Sequence, residues 1–263
     1  MMKKILVLFN GLSAPWHITT FALNIAKQNN AEVQALFLND ETPGYVYPSD
    51  IASVQEELAP EKETAANAAL QEKNIELFKT FCDDEKVNCY FEKNVSLKQL
   101  IQFSADAGVL VTNSHDDFQK YSLKDILAQS DCPVCLISVN ATEIKTNVLL
   151  WDGTEDAMHA IEAYGMLFPD LCKKKNYLVT INEKGNAIKP GTKKMLQKFS
   201  NPEVVSLKGN LEKKLIEFLD VHTENAMVVM GAYGRSAVSM LFKPSLSNVV
   251  LNQSRTSLFI AHN

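Results

Sequence analysis

The residues with the clearest chemical potential lie near the C-terminus. Val228-Val229-Met230 runs into Gly231-Ala232-Tyr233-Gly234-Arg235-Ser236, and Pro244-Ser245-Leu246-Ser247-Asn248 follows. Two glycines at i and i+3 after an apolar run let the main chain turn tightly and approach a phosphate with no Cβ in the way. Ser245 and Ser247 open a helix-like stretch, where hydroxyls stand beside the free N–H groups of a helix N-terminus. A bare Gly-x-x-Gly is more often only a turn. Here it follows an apolar run and precedes a hydroxyl pair. A second apolar run, Val148 to Trp151, also exits through Asp152-Gly153-Thr154. The chemistry indicated is the holding of a polyphosphate.

The other reactive residue types read as structural. Cys132-Pro133-Val134-Cys135 opens the apolar run to Val139, so both sulfurs fall in or beside a strand. A redox Cys-x-x-Cys needs a helix N-terminus to lower its thiol pKa. Zinc would need a second Cys or His pair at ligand spacing, and none is present. The five cysteines are odd in number and show no secreted framework. His115 with Asp116 and Asp117 reads as an exposed loop. His17 and His159 sit early in corresponding helices and read as packing residues, while His222 and His262 look peripheral. Arg235 suits a phosphate and an exposed helix start equally well.

The chain has 263 residues, 46% hydrophobic and 22% charged, the composition of a folded protein. No apolar run approaches the roughly 20 residues that a membrane span requires. After Lys3-Lys4 the apolar run reaches Asn10-Gly11 too early for a signal peptide, so a cytoplasmic protein is expected. The net charge of −5 is uneven. Residues 1–143 carry 11 Lys and 20 Asp+Glu, net −9. Residues 144–263 carry 13 Lys, 2 Arg and 11 Asp+Glu, net +4. An anion is drawn to the second half, but neither half has the basic patch of a nucleic-acid binder.

The elements that position these residues repeat. Ile5-Leu6-Val7-Leu8-Phe9-Asn10-Gly11-Leu12-Ser13 is echoed by Val148-Leu149-Leu150-Trp151-Asp152-Gly153-Thr154. Each is a buried-strand run with an Asx-Gly-hydroxyl exit into a helix. Helical spacing follows at Trp16–Gln28 and Ala157–Leu171. Second strands are expected at 33–38 and 177–181, and third strands at 88–91 and 204–207. Fourth strands are expected at 108–112 and 226–230, and fifth strands at 133–139 and 257–261. A long helix over 51–81 distinguishes the first half. Strands alternating with helices give a parallel sheet covered on both faces. The fold expected is α/β: two tandem, doubly wound, five-stranded and mainly parallel sheets, over residues 1–142 and 143–263.

These residues resemble the universal stress protein family in its tandem form. That family carries Gly-x2-Gly-x9-Gly-Ser/Thr after its fourth strand and an Asp-Gly-Ser type turn after its first. Gly231, Gly234 and Ser245 fit, whereas Pro244 replaces the third glycine and removes one N–H donor. The resemblance implies a nucleotide-α-hydrolase-like fold whose halves pair about a pseudo-twofold axis, as an intramolecular counterpart of the family's homodimers. It implies ATP, with Mg²⁺, in the second half. Asp152 would face the adenosine and the Ile181 backbone the adenine. Met230, Gly231 and Gly234 would line the ribose and phosphates, and Ser245, Leu246 and Ser247 the phosphate tail. The first half has Asn10 for the aspartate and Thr112-Asn113-Ser114-His115-Asp116-Asp117 for the glycines. Carboxylates there repel phosphate, so this half is expected not to bind ATP.

The reading is a stress-response protein binding an adenine nucleotide, with no membrane or nucleic-acid partner. No residue is placed to activate water well, so hydrolysis is expected to be slow at most. The alternative is a nucleotide-independent interaction protein with both sites degenerate. An adenylating synthetase is disfavoured, since neither first-strand exit supplies a pyrophosphate-binding Ser-Gly-Gly-x-Asp-Ser loop.

Overall fold

A computed structural model describes residues 4–10, 14–39, 60–114, 123–139, 141, 143–180, 194–207, 211–222, 225–231 and 256–261. The chain divides into two compact units, Met1–Asp131 and Cys132–Asn263.

The first unit contains β1 (Lys4–Phe9), α1 (Trp16–Asn29), β2 (Glu32–Leu38), α2 (Pro60–Glu85) and β3 (Cys89–Val95). Then come α3 (Leu97–Ser104), β4 (Val109–Asn113) and α4 (Leu123–Gln129). The strands are parallel in the order β3-β2-β1-β4. Ile5 to Phe9 and Val33 to Leu38 are buried almost throughout, as continuous apolar runs in a doubly covered sheet should be. Phe9 ties the layers together, with ring centroids 5.0 Å from Phe37 on β2 and 6.2 Å from Phe78 on α2.

The long helix runs four residues past Phe81, to Glu85, and residues 51–59 of its expected span lie outside the described residues. The helix turns Ile75, Phe78 and Cys82 inward and leaves Leu70, Leu77 and Phe81 exposed. β3 is the outer strand, half exposed along its length, and so its polar Glu92-Lys93-Asn94 carried no strand pattern. α3 is started by a capping box, in which Ser96 accepts from the Gln99 N–H and the Gln99 side chain accepts from the Ser96 N–H.

The second unit contains β5 (Val134–Ile137), β6 (Thr146–Trp151), α5 (Glu155–Leu167), a 3₁₀ turn at Leu171–Lys173 and β7 (Lys175–Thr180). Then come β8 (Glu203–Ser206), α6 (Leu211–His222), β9 (Ala226–Gly231) and β10 (Ser257–Ala261). Its strand order is β5-β10-β9-β6-β7-β8, all parallel except β5, which pairs antiparallel with β10. β5, which the repeat reads as the last strand of the first half, falls in the second unit and pairs with β10.

β1 lies between β2 and β4, and β6 between β7 and β9, the order of a doubly wound sheet with topological switches beside β1 and β6. The α/β fold read from the repeat is the one observed. Tyr164 centres the second core, 5.0 Å from Phe168 and 5.2 Å from Phe259 between ring centroids. Its hydroxyl donates to Asn147 Oδ1 at 2.7 Å. Asn147 Nδ2 donates to the Leu171 carbonyl and to Asn176 Oδ1. Asn176 Nδ2 in turn reaches the carbonyls of Cys172, Lys174 and Ser200. Most buried polar groups in folded proteins are bonded in this way.

Among the described residues, no helix is long and apolar enough to cross a membrane.

Candidate functional site

The switch of the second unit lies between β6 and β9, so their carboxyl ends define where a ligand would sit. β6 and β9 pair up to Leu149 and Val229, and two residues further on stand Trp151 and Gly231. Asp152 follows Trp151 directly. Gly153 next adopts φ 87°, a left-handed conformation that glycine reaches without strain. The chain then enters α5 with Thr154 as its cap.

Asp152 and Thr154 form a short relay. Asp152 Oδ1 accepts from the Thr154 N–H at 2.9 Å and from the Thr154 hydroxyl at 2.6 Å. Thr154 Oγ1 accepts in turn from the Ala157 N–H at 3.2 Å. The carboxylate is thereby held at the mouth of the switch. The same relay occupies a donor at the α5 N-terminus, and Glu155 and Asp156 stand in its first turn. Those charges suit the helix dipole and repel a second anion.

Gly231 ends β9 against the start of α5. A Cβ built there would stand 2.7 Å from the Asp156 carbonyl carbon and 2.9 Å from the Ala157 nitrogen. The glycine lets strand and helix backbones touch, which brings the end of β9 beside the Asp152–Thr154 turn. Met230 is buried. Ile181, Gly234, Ser245, Leu246 and Ser247, like Pro244 and Arg235, lie outside the described residues.

Two hydroxyls on the same edge carried no motif in the sequence. Thr180 and Ser206, at paired ends of β7 and β8, have their hydroxyl oxygens 2.8 Å apart. Only the strand register places them beside the Asp152 turn, since Trp151 pairs with Thr180.

At the switch of the first unit, Asn10 is buried after β1 and Ser114 is buried after β4. Thr112 Oγ1 donates to the Leu8 carbonyl at 3.0 Å, joining the two strands. α1 has no side-chain cap, its N-cap position being Pro15. His115, Asp116 and Asp117 lie outside the described residues.

Cys132, Cys135 and Cys172 are buried free thiols. Burial pushes the Cys135 thiol well up, with Cys132 adding to the effect, and pushes Cys172 up to about 11. These are the properties of inert core cysteines. His17 is buried on the inner face of α1. No group of three or more His, Cys, Asp or Glu among the described residues is arranged to hold a metal ion.

The topology defines an α/β protein of the doubly wound class, with the switch of its second unit between β6 and β9. Over its length the chain is similar to the crystal structure of a universal stress protein from Archaeoglobus fulgidus. The identity is 14%, 98% of each chain is covered, and the TM-score is 0.64. It is similar also to a functionally unknown protein from Pseudomonas aeruginosa, at 13% identity and TM-score 0.54, over 99% of this chain and 92% of that one. A universal stress protein family protein from Arabidopsis thaliana with AMP bound matches 52% of this chain and 91% of its own, at 16% identity and TM-score 0.35. No family model and no curated protein matches the chain. The fold is that of the universal stress proteins.

Proposed function

We propose that this chain is a stress-response protein of the universal stress type that binds an adenine nucleotide, ATP with Mg²⁺, in its second unit. The observation that carries the reading is the close approach of Gly231, at the end of β9, to the first turn of α5, which follows the Asp152–Thr154 turn at the β6–β9 switch, the position where doubly wound sheets take their ligands. The residues there fit the nucleoside end. Asp152 is an oriented acceptor for ribose hydroxyls, and the acidic first turn of α5 disfavours the phosphates there; in this reading Gly234, Ser245, Leu246 and Ser247 receive them. The Ile181 backbone, next after the end of β7, takes the adenine in this reading. Mg²⁺ enters only as the counter-ion of the phosphates. The net charge of +4 over residues 144–263 favours the same half. The first unit, with Asn10 in place of the aspartate and no glycine after β4, serves without ATP.

Calorimetry with ATP and Mg²⁺ tests the reading. One site per chain is expected, and Asp152→Ala and Gly234→Val should each weaken it at least about tenfold, roughly 1.4 kcal/mol. Two sites per chain would overturn the assignment to one unit. Absence of binding would leave a nucleotide-independent interaction protein, a reading favoured by the exposed Leu70, Leu77 and Phe81 on α2.

A further inference from the structure

One pair of cysteines behaves unlike the other three. Cys82 is in the last turn of α2, Cys89 is the first residue of β3, and they are joined by a disulfide across a Cα–Cα distance of 6.1 Å. The helix face that carries Cys82 also carries Ile75 and Phe78, so Cys82 is 3% exposed. Cys89 is only partly covered, because β3 is the outer strand of its unit and residues 83–86 before it are exposed. The Cys89 side is therefore the more open side of the bond.

The turn that holds the two sulfurs together is closed without them. α2 ends on Lys86 at φ 55°, a left-handed C-terminal residue. The Val87 N–H donates to the Cys82 carbonyl at 3.0 Å and the Lys86 N–H to the Asp83 carbonyl at 3.1 Å. These bonds form the usual αL termination of a helix. On the strand side, the Val33 N–H donates to the Asn88 carbonyl at 2.9 Å, and Val33 pairs with Cys89 in the β2–β3 ladder. Two exposed ion pairs lie nearby, Lys27 with Glu85 at the end of α2 and Lys93 on β3 with Glu72 in the middle of α2. None of these main-chain bonds involves the sulfurs. A covalent link across seven residues closes a short loop, so its entropic contribution is toward the lower end of what disulfides give.

We propose that Cys82 and Cys89 form a reversible thiol–disulfide couple, a redox modification site whose reaction partners are small dithiols and their cyclic disulfides. In the reducing direction, a thiolate of the dithiol attacks the Cys89 sulfur, forms a mixed disulfide and releases Cys82 as a thiolate, which takes up a proton. The second thiol of the reagent then displaces Cys89. The protein gains two electrons and two protons, and the dithiol leaves as a cyclic disulfide. Oxidation is the reverse, with the cyclic disulfide as oxidant. Cys132, Cys135 and Cys172 take no part, being buried and separate from the pair.

The test uses the full-length chain, dithiothreitol in reduced and oxidised forms, and alkylation followed by peptide mass spectrometry. Without reductant and without denaturant, no cysteine should be labelled. With reduced dithiothreitol in native buffer, two labels should appear, at Cys82 and Cys89. Circular dichroism should be retained, and the melting temperature should fall by less than about 10 °C. Oxidised dithiothreitol should then restore the unlabelled state. Cys89→Ser should fold and melt with the reduced wild type. The proposal is overturned if Cys82 and Cys89 label before any reductant is added. It is overturned equally if they open only in denaturant, or if Cys89→Ser does not fold, since the bond would then be a structural staple.

Discussion

Gly231 and Asp156 meet backbone to backbone: a Cβ on Gly231 would stand 2.8 Å from the Asp156 carbonyl oxygen. The first glycine of the Gly-x-x-Gly pair is therefore required by the packing of β9 against α5, whatever the loop beyond it binds. Sequence spacing pointed to a phosphate contact. The structure adds an older constraint, the close approach of a strand end to a helix start. The two are compatible, because Gly231 stands against the first turn of α5, which follows the Asp152–Thr154 turn.

Gly231→Ala is expected to destabilise the second unit by about 2–4 kcal/mol, since main-chain atoms on both sides must move apart. Equilibrium urea unfolding checks it. A loss below about 0.5 kcal/mol would show that α5 is free to shift. Loss of nucleotide affinity in this variant would carry no information about phosphate contacts, which is why Gly234 is the position for that test.

Tyr164→Phe should cost about 1–2 kcal/mol, because Asn147 Oδ1 loses its 2.7 Å donor inside the core. Asn176→Ala should cost more, since the carbonyls of Cys172, Lys174 and Ser200 all lose the same donor group. If the two variants unfold at the same denaturant concentration as the wild type, these bonds have water substitutes.

Thr154→Val should lower stability by about 1 kcal/mol through loss of the α5 cap. It also removes the hydroxyl that donates to Asp152 Oδ1 at 2.6 Å. If Asp152 holds the nucleoside, ATP affinity falls as well, though by less than in Asp152→Ala, where the carboxylate itself is gone. Calorimetry on the two variants gives that order. The reverse order would remove Asp152 from the site.

Much of this was legible in the chain because the signals were local. Val7 and Val148 lie in continuous apolar runs that only doubly covered strands produce, and Asp152-Gly153-Thr154 reads directly as a strand-to-helix turn. β3 was harder, because an outer strand buries one face at most, and Glu92, Lys93 and Asn94 show no apolar pattern. The pairing of β5 with β10 joins residues more than a hundred positions apart, and no turn chemistry records it. The Cys82–Cys89 bond was missed because a spacing of seven means nothing until Lys86 turns the chain back on itself. The Thr180–Ser206 contact is likewise set by register alone.

Alkaline pH should destabilise the second unit through its buried acids. Burial raises Cys172 to about 11 in the folded state, from an ordinary 9.0. Burial also raises Cys135 and Tyr164 well above their ordinary values. A folded-state pKa above the unfolded one means that the unfolded chain loses its proton first. The stabilisation is therefore complete below about pH 9 and is lost as pH rises through about 11. Urea midpoints measured from pH 7 to 11 should fall above pH 9, and Cys172→Ala should fall less steeply. A flat profile would show that these thiols ionise freely in the folded protein.

The two tryptophans can report the two units separately. Trp16, at the start of α1, is 59% exposed, whereas Trp151, at the end of β6 beside Asp152, is 6% exposed. Iodide should therefore quench Trp16 and spare Trp151. In Trp16→Phe protein the remaining emission comes from the second-unit switch, and ATP with Mg²⁺ should change it saturably. In Trp151→Phe protein the remaining emission comes from the first unit and should not respond to the nucleotide. A saturable response from Trp16 with none from Trp151 would move the ligand to the first unit, where Asn10 and not an aspartate follows β1. Asp152 would then be no more than the partner of Thr154 in capping α5.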